Sequence, residues 1–163
     1  MRVEIRILDG RLPGWGFPHR GSALAAGIDL HACLPATLVL SPGGPAVLVP
    51  AGFALRIGDP GWCGLVAPRS GLGHRGLVLG NAVGIVDADY TGEVLVSAWN
   101  RNTTAAPDGG ALTIRPGDRI AQLVFVRVGQ PELSVVDDLP AGPDAGRGAQ
   151  GFGSTGSAPR TAT

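Results

Sequence analysis

The 163-residue chain contains no lysine, and all 13 of its basic residues are arginine. A Walker A loop needs a lysine on its phosphates, so an ordinary P-loop nucleotide hydrolase is excluded. Schiff-base chemistry is excluded for the same reason. An excess of charge is missing too: 13 basic residues stand against 13 acidic ones, so no basic footprint for duplex nucleic acid is expected. Cysteine is scarce. Cys33 and Cys63 form no CxxC pair and join no His/Cys cluster of zinc spacing, so two buried, reduced thiols are expected. The opening MRVEIRIL has no apolar h-region and no long apolar run follows, so neither a signal peptide nor a membrane span is expected. The simplest reading is a cytoplasmic protein with no membrane partner.

Helical periodicity is also absent: no long window places apolar residues at i, i+3, i+4 and i+7. What is present is apolar material (44% of residues) cut by 27 glycines and 14 prolines. Val3, Ile5 and Ile7 alternate with Glu4 and Arg6, which is strand period. AVLVP, FALRI, WCGLVAP, EVLVSAWN and RIAQLVFVRV are further strand candidates, separated by the turn chemistry of SPGGP, GDPGW, TTAAPDGG and RPGD. The expected fold is all-β, a sandwich or barrel of short antiparallel strands. A short helix at GDRIAQL is the alternative at that one place. The expected division is a β domain over residues 1–137 and a tail over 138–163. From Asp137 onward the chain has one aromatic, Phe152, and few aliphatics, too little to fold by itself.

Several segments carry residue types with chemical uses. In AAGIDLHA, Asp29 is either a strand-end aspartate or a carboxylate near a metal-bound ligand. In APRSGLG, Arg69, Ser70 and the exposed N–H groups of a glycine turn at Gly71 suit a phosphate. NAVGIVDADYTGEV holds Asp87 and Asp89, a carboxylate pair able to hold a water, and Tyr90, a flat wall for a sugar or base. It reads as a β-hairpin with DADYTG as its turn. PGDRIAQLVF offers Asp118, Arg119 and Gln122, whose plain reading is a charged strand edge. RGAQGFGSTG, at 147–156, has the composition of either a phosphate loop or a linker.

In this order, AGIDLHA, PRSGL, GIVDADYTGEV, GDRIAQL and RGAQGFGSTG resemble the five motifs of the trimeric dUTP pyrophosphatase (dUTPase) family, bacterial type. They run from residue 26 to 156. GLGHRGLVLGN also looks like the bacterial form. The loop at 102–111 is longer than usual, and SALAAGIDL is an unusual lead-in to the first motif. The resemblance implies a jelly-roll-like distorted β-barrel assembled as a homotrimer, with active sites between subunits. It implies magnesium-dependent hydrolysis of dUTP to dUMP and pyrophosphate, which limits uracil in DNA and supplies dUMP for thymidylate synthesis. Asp87 matches the general base that orients a water on the α-phosphorus. Tyr90 matches the aromatic under the deoxyribose, and Asn81 with the backbone from Gly84 to Asp87 matches the uracil reader. Arg69, Ser70, Gly71 and Gln122 match phosphate contacts. Asp29 matches a carboxylate that meets Mg2+ through water. Arg147, Phe152, Gly153, Ser154 and Thr155 match a tail that is mobile without ligand and closes over bound nucleotide.

Three other readings follow from the same residues. A dCTP deaminase would need a glutamate base, and the chain has Glu4, Glu93 and Glu132. A regulator sensing dUTP without turnover would not need Asp87. A purely structural jelly roll would leave PRSGL and GFGSTG without a use.

Overall fold

The computed structural model describes residues 1–106 and 109–139. Residues 1–130 form one compact unit, and a second begins at Pro131. Within the first unit the strands are β1 (Glu4–Ile7), β2 (Ile28–His31), β3 (Leu38–Leu40), β4 (Val47–Arg56) and β5 (Trp62–Pro68). They continue with β6 (Leu77–Leu79), β7 (Gly84–Val86), β8 (Glu93–Asn100), β9 (Leu112–Ile114) and β10 (Arg119–Arg127). One short helix, α1 (Ser70–His74), follows β5.

The strands form two four-stranded sheets, in the orders β1-β4-β8-β6 and β2-β10-β5-β7, and a separate two-stranded sheet, β3-β9. Every ladder is antiparallel. This is the expected all-β, jelly-roll-like architecture. On β8, Val94, Val96, Ala98 and Asn100 point inward while Leu95 points out. They meet Phe53 and Val49 of β4 and, from the other sheet, Leu30, Val66 and Leu123. Each of these valine, leucine and phenylalanine side chains contributes about 1.5–3 kcal/mol by leaving water. Asn100, 1% exposed, is the polar exception. Its amide donates to the carbonyls of Leu40 (2.9 Å) and Gly110 (2.7 Å), and its Oδ1 accepts from the Asn102 N–H at 3.0 Å. The long loop after β8 is thereby tied to the core, because an unpaired amide there would cost about 1–3 kcal/mol.

Three local expectations are corrected. AVLVP and FALRI are not two strands: β4 runs through both, and the turn-like AG between them is absorbed by a register shift against β8 between Pro50 and Ala54. Gly52 sits there at φ 75°, packed so closely that a Cβ would stand 2.9 Å from the Asp9 Cβ. The glycine turn expected after PRS is the helix α1. The strand expected at RIAQLVFVRV does form, as β10 opened by Arg119, and the alternative helix at GDRIAQL does not. The arms flanking DADYTG are not hairpin partners either. β7 pairs with β5 and β8 pairs with β4 and β6, so the segment crosses from one sheet to the other. The local pattern of turn residues between apolar runs is the same in both cases, and only packing decides between them.

Candidate active site

Asp29 lies on β2 directly opposite Gln122 of β10, and Gln122 lies opposite Ala67 of β5. These three positions form a row across the sheet, next to the end where β5 gives way to Arg69. Asp29 is 7% exposed. A buried carboxylate needs partners, and here two arginines supply them. Arg69 Nε is 2.9 Å from Oδ1 and Arg119 Nη1 is 3.0 Å from Oδ2. Arg69 Nη1 also donates to the Arg119 carbonyl at 3.1 Å. The Gln122 amide donates to the Pro68 carbonyl at 3.0 Å, which holds its side chain beside the same strand end. Gly27 leaves room for it, since a Cβ there would stand 3.2 Å from the Gln122 Cβ.

Arg69 is the extended residue before α1, at φ −83° and ψ 139°. Ser70 and Gly71 follow as the first turn, whose N–H groups have no intrahelical acceptors. Arg69, Ser70, Gly71 and Arg75 line a hollow of about 390 Å³. Arg69, Arg75 and Arg119 line a second one of about 350 Å³. Guanidinium forks, a hydroxyl and backbone donors together suit phosphate oxygens.

Asp87 follows β7 and is exposed. Its carbonyl accepts from the Tyr90 N–H at 3.2 Å, and the next carbonyl, of Ala88, accepts from the Gly58 N–H at 2.8 Å. The turn is therefore anchored to the β4–β5 connection. No described arginine pairs with Asp87. It lines a cleft of about 810 Å³ with Arg56, Trp62, Ile85, Asp89 and Gln130. The Tyr90 ring lies over Gly92, where a Cβ would run into it.

Asn81 and Gly84 stand at the other end of β7. Ala82, at φ 61°, is the centre of a turn in which the Val83 N–H reaches the Asn81 carbonyl at 2.7 Å. A non-glycine residue in this conformation stores strain, as functional loops often do. Gly84 brings β7 close to β5: a Cβ there would stand 3.1 Å from Val66 Cβ and 3.6 Å from the Asn81 amide.

The chain thus gathers its candidate residues into separate places. Asp29, Arg69, Ser70, Gly71 and Gln122 share one end of β5. Asp87 flanks Cys63 at the opposite end, since Val86 pairs with Gly64. The six residue steps from Cys63 to Arg69 span about 20 Å. Arg147, Phe152, Gly153, Ser154 and Thr155 lie outside the described residues.

Two further residues take part, and neither was given a role from the sequence. Arg119, read as a charged strand edge, is a partner of Asp29. His31, two residues from Asp29 on the same strand, is 2% exposed. It stacks on Trp15 at 6.1 Å and meets Phe17 edge-on at 6.5 Å. Burial pushes its imidazole below the usual histidine pKa. Its Nδ1 has no partner among the described residues. Glu93, by contrast, is committed to structure: its carboxylate accepts from the Gly52 N–H at 3.1 Å.

Residues 14–156 match the dUTPase family. The chain is 47% identical over 157 residues to a deoxyuridine 5'-triphosphate nucleotidohydrolase of Tolumonas auensis, covering 95% of this chain and 97% of that one. It is 46% identical to the protein of the same name from Ralstonia pickettii, covering 96% and 99%. Among solved structures, it is similar to a mutant dUTPase of Staphylococcus bacteriophage 80alpha with dUpNHpp, at a TM-score of 0.79 and 26% identity over 96% of this chain and 99% of that one. A mutant dUTPase of S. aureus phage phi11, described with a coordinated structural Mg(II) ion, has a TM-score of 0.70 at 26% identity, covering 85% and 99%.

Proposed function

As the chain belongs to the dUTPase family and hydrolyses dUTP to dUMP and pyrophosphate, we propose that Asp87 is its general base and that its sites are completed between three copies. The observation that carries the activity is the family match across residues 14–156. Asp87 is exposed, lines the large cleft and pairs with no described arginine, so its oxygens are open to a water. It accepts a proton from that water as the water oxygen attacks the α-phosphorus. The bond from the α-phosphorus to the bridging oxygen breaks, and pyrophosphate leaves. General-base assistance of this kind contributes about 10²–10⁴-fold.

The Tyr90 ring packs under the deoxyribose and leaves no room for a 2′-hydroxyl. Asn81 and the backbone from Gly84 read the uracil. Arg69, Ser70, Gly71 and Gln122 bind phosphate oxygens. Because these groups lie about 20 Å along β5 from Asp87, a site holding both draws them from neighbouring copies, which supports a homotrimer. Residues 147–156 then close over the nucleotide, with Phe152 on the uracil and Arg147, Gly153, Ser154 and Thr155 toward the phosphates.

Among the described residues no three His, Cys, Asp or Glu side chains converge. Mg2+ fits this chain as a passenger of the triphosphate, since it keeps several waters and takes substrate phosphates as ligands. Asp29 would meet such an ion only through water, since Arg69 and Arg119 already engage both of its carboxylate oxygens. When bound, the ion neutralises phosphate charge and favours one conformation of the triphosphate. Among the described residues no helix is long and apolar enough to cross a membrane.

The test is pyrophosphate release measured in parallel from dUTP, dTTP, dCTP and UTP, with and without magnesium. Release from dUTP alone is expected. Comparable turnover of UTP or dTTP overturns the assigned pocket, and ammonia release from dCTP makes the chain a deaminase.

A further inference from the structure

The geometry points to Arg119 as a positioning residue that keeps Arg69 available to phosphate by occupying one oxygen of Asp29. The inference rests on the dUTPase reading and extends it to a residue with no assigned role.

Asp29 has two oxygens, and each has one guanidinium as its nearest partner. Oδ1 faces Arg69 Nε at 2.9 Å and Oδ2 faces Arg119 Nη1 at 3.0 Å. The Arg119 backbone contributes as well, since its carbonyl accepts from Arg69 Nη1 at 3.1 Å. Arg69 is therefore anchored at Nε and Nη1, while its Nη2 donates to no described residue. That free nitrogen is the one an arriving phosphate can use. The side chain is already braced, so little rotamer freedom remains to be lost on binding.

Without the Arg119 guanidinium, Oδ2 becomes an unpaired acceptor on a carboxylate that is 7% exposed. The nearest remedy is a fork-to-fork pair with Arg69, which would use Nε and Nη2 together. Arg69 would then be saturated by Asp29 and turned from the nucleotide. The charge balance changes in the same direction. Two guanidiniums around one carboxylate leave a surplus positive charge at the phosphate end of the sheet, and one guanidinium leaves none. Arg119 thus acts on substrate through Asp29 and Arg69, without needing to touch it.

The experiment measures affinity for the non-hydrolysable analogue dUpNHpp, and for deoxyuridine, which has no phosphate. It compares the parent, Arg119→Gln, Arg119→Lys, Arg69→Gln and the Arg69→Gln/Arg119→Gln double variant. Arg119→Gln is expected to weaken dUpNHpp about ten- to a hundredfold, the scale of losing charged hydrogen bonds, with deoxyuridine affinity unchanged. Arg119→Lys still pairs with Oδ2 and should stay within a few-fold of the parent. Once Arg69 is already Gln, removing Arg119 should cost far less than it does in the parent. The proposal is overturned if Arg119→Gln binds dUpNHpp like the parent, if the two losses simply multiply, or if a folded Arg119→Lys loses as much as Arg119→Gln. The lysine variant carries the test should Arg119→Gln fail to fold. A parent that binds neither dUpNHpp nor deoxyuridine would overturn the dUTPase reading itself, a result distinct from the others.

Discussion

The hydroxyl of Tyr90 donates to the backbone carbonyl of Glu93 at 2.9 Å. The bond ties the ring to the first residue of β8, so the aromatic face is held by the sheet and not by its own loop. Tyr90→Phe keeps the ring over Gly92 and loses one hydrogen bond, which should cost about 1 kcal/mol of stability and leave dUTP turnover within a few-fold. Tyr90→Ala removes the wall. Its preference for dUTP over UTP should fall at least about tenfold, the scale of a truncated pocket contact. Pyrophosphate release from the two nucleotides measures both.

Asp87→Asn has nearly the shape of the parent side chain but cannot take a proton from water. Turnover should fall about 10²–10⁴-fold while dUpNHpp affinity holds. Turnover within a few-fold of the parent would remove Asp87 from the role of base.

Cutting the chain after Pro143 removes the segment assigned to closure and nothing from the β domain. The melting temperature should stay near that of the parent. Turnover should fall roughly 10²-fold or more, the scale of losing preorganised charge contacts around a reacting phosphate. Phe152→Ala in the full chain should lose less. A truncated chain with full activity would leave the closing role without support.

Acid stability should depend on Asp9. The Arg11 guanidinium, and after it the Arg11 backbone N–H, holds the Asp9 carboxyl down at about 2 from an ordinary 3.8. The folded value lies below the unfolded one, so this pair contributes stability above about pH 4 and loses it as pH falls from there toward 2. Asp9→Asn should lower the melting temperature at neutral pH and flatten its decline over that acid window. Thermal melts of both proteins between pH 2 and 7 measure this. An Asp9→Asn curve parallel to the parent throughout would show that the pair carries no such linkage.

The parts of the fold legible in the sequence are those where one strand face is buried and the other is not. β8 alternates along EVLVSAWN and matches its expected limits, Glu93–Asn100. β2 was hidden because all four of its residues are buried, which removes the alternation. β6 and β7 have three residues each, too few to show a period. α1 is barely more than one turn, with two glycines inside it. Asp87 and Tyr90 were legible as a carboxylate and an aromatic in one short segment. The clamp on Asp29 was not, because Arg119 lies 90 residues away in sequence and meets it only through the β2–β10 ladder. Arg119 does open its strand, but β10 lies between β2 and β5 and its side chain turns to Asp29, neither of which a charged strand edge implies.

The length of β5 also bears on how damage is shared. A chain disabled at Arg69 still carries an intact Asp87 end, and a chain disabled at Asp87 still carries an intact Arg69 end. In the assembly proposed above, sites draw these ends from different chains. Mixed oligomers of Arg69→Gln and Asp87→Asn chains therefore contain some sites built only from undamaged ends. Co-refolding the two inactive proteins should recover turnover that neither has alone, and as two alleles they would complement each other. Asp87→Asn paired with a second inactivating change in the same segment of the chain would not.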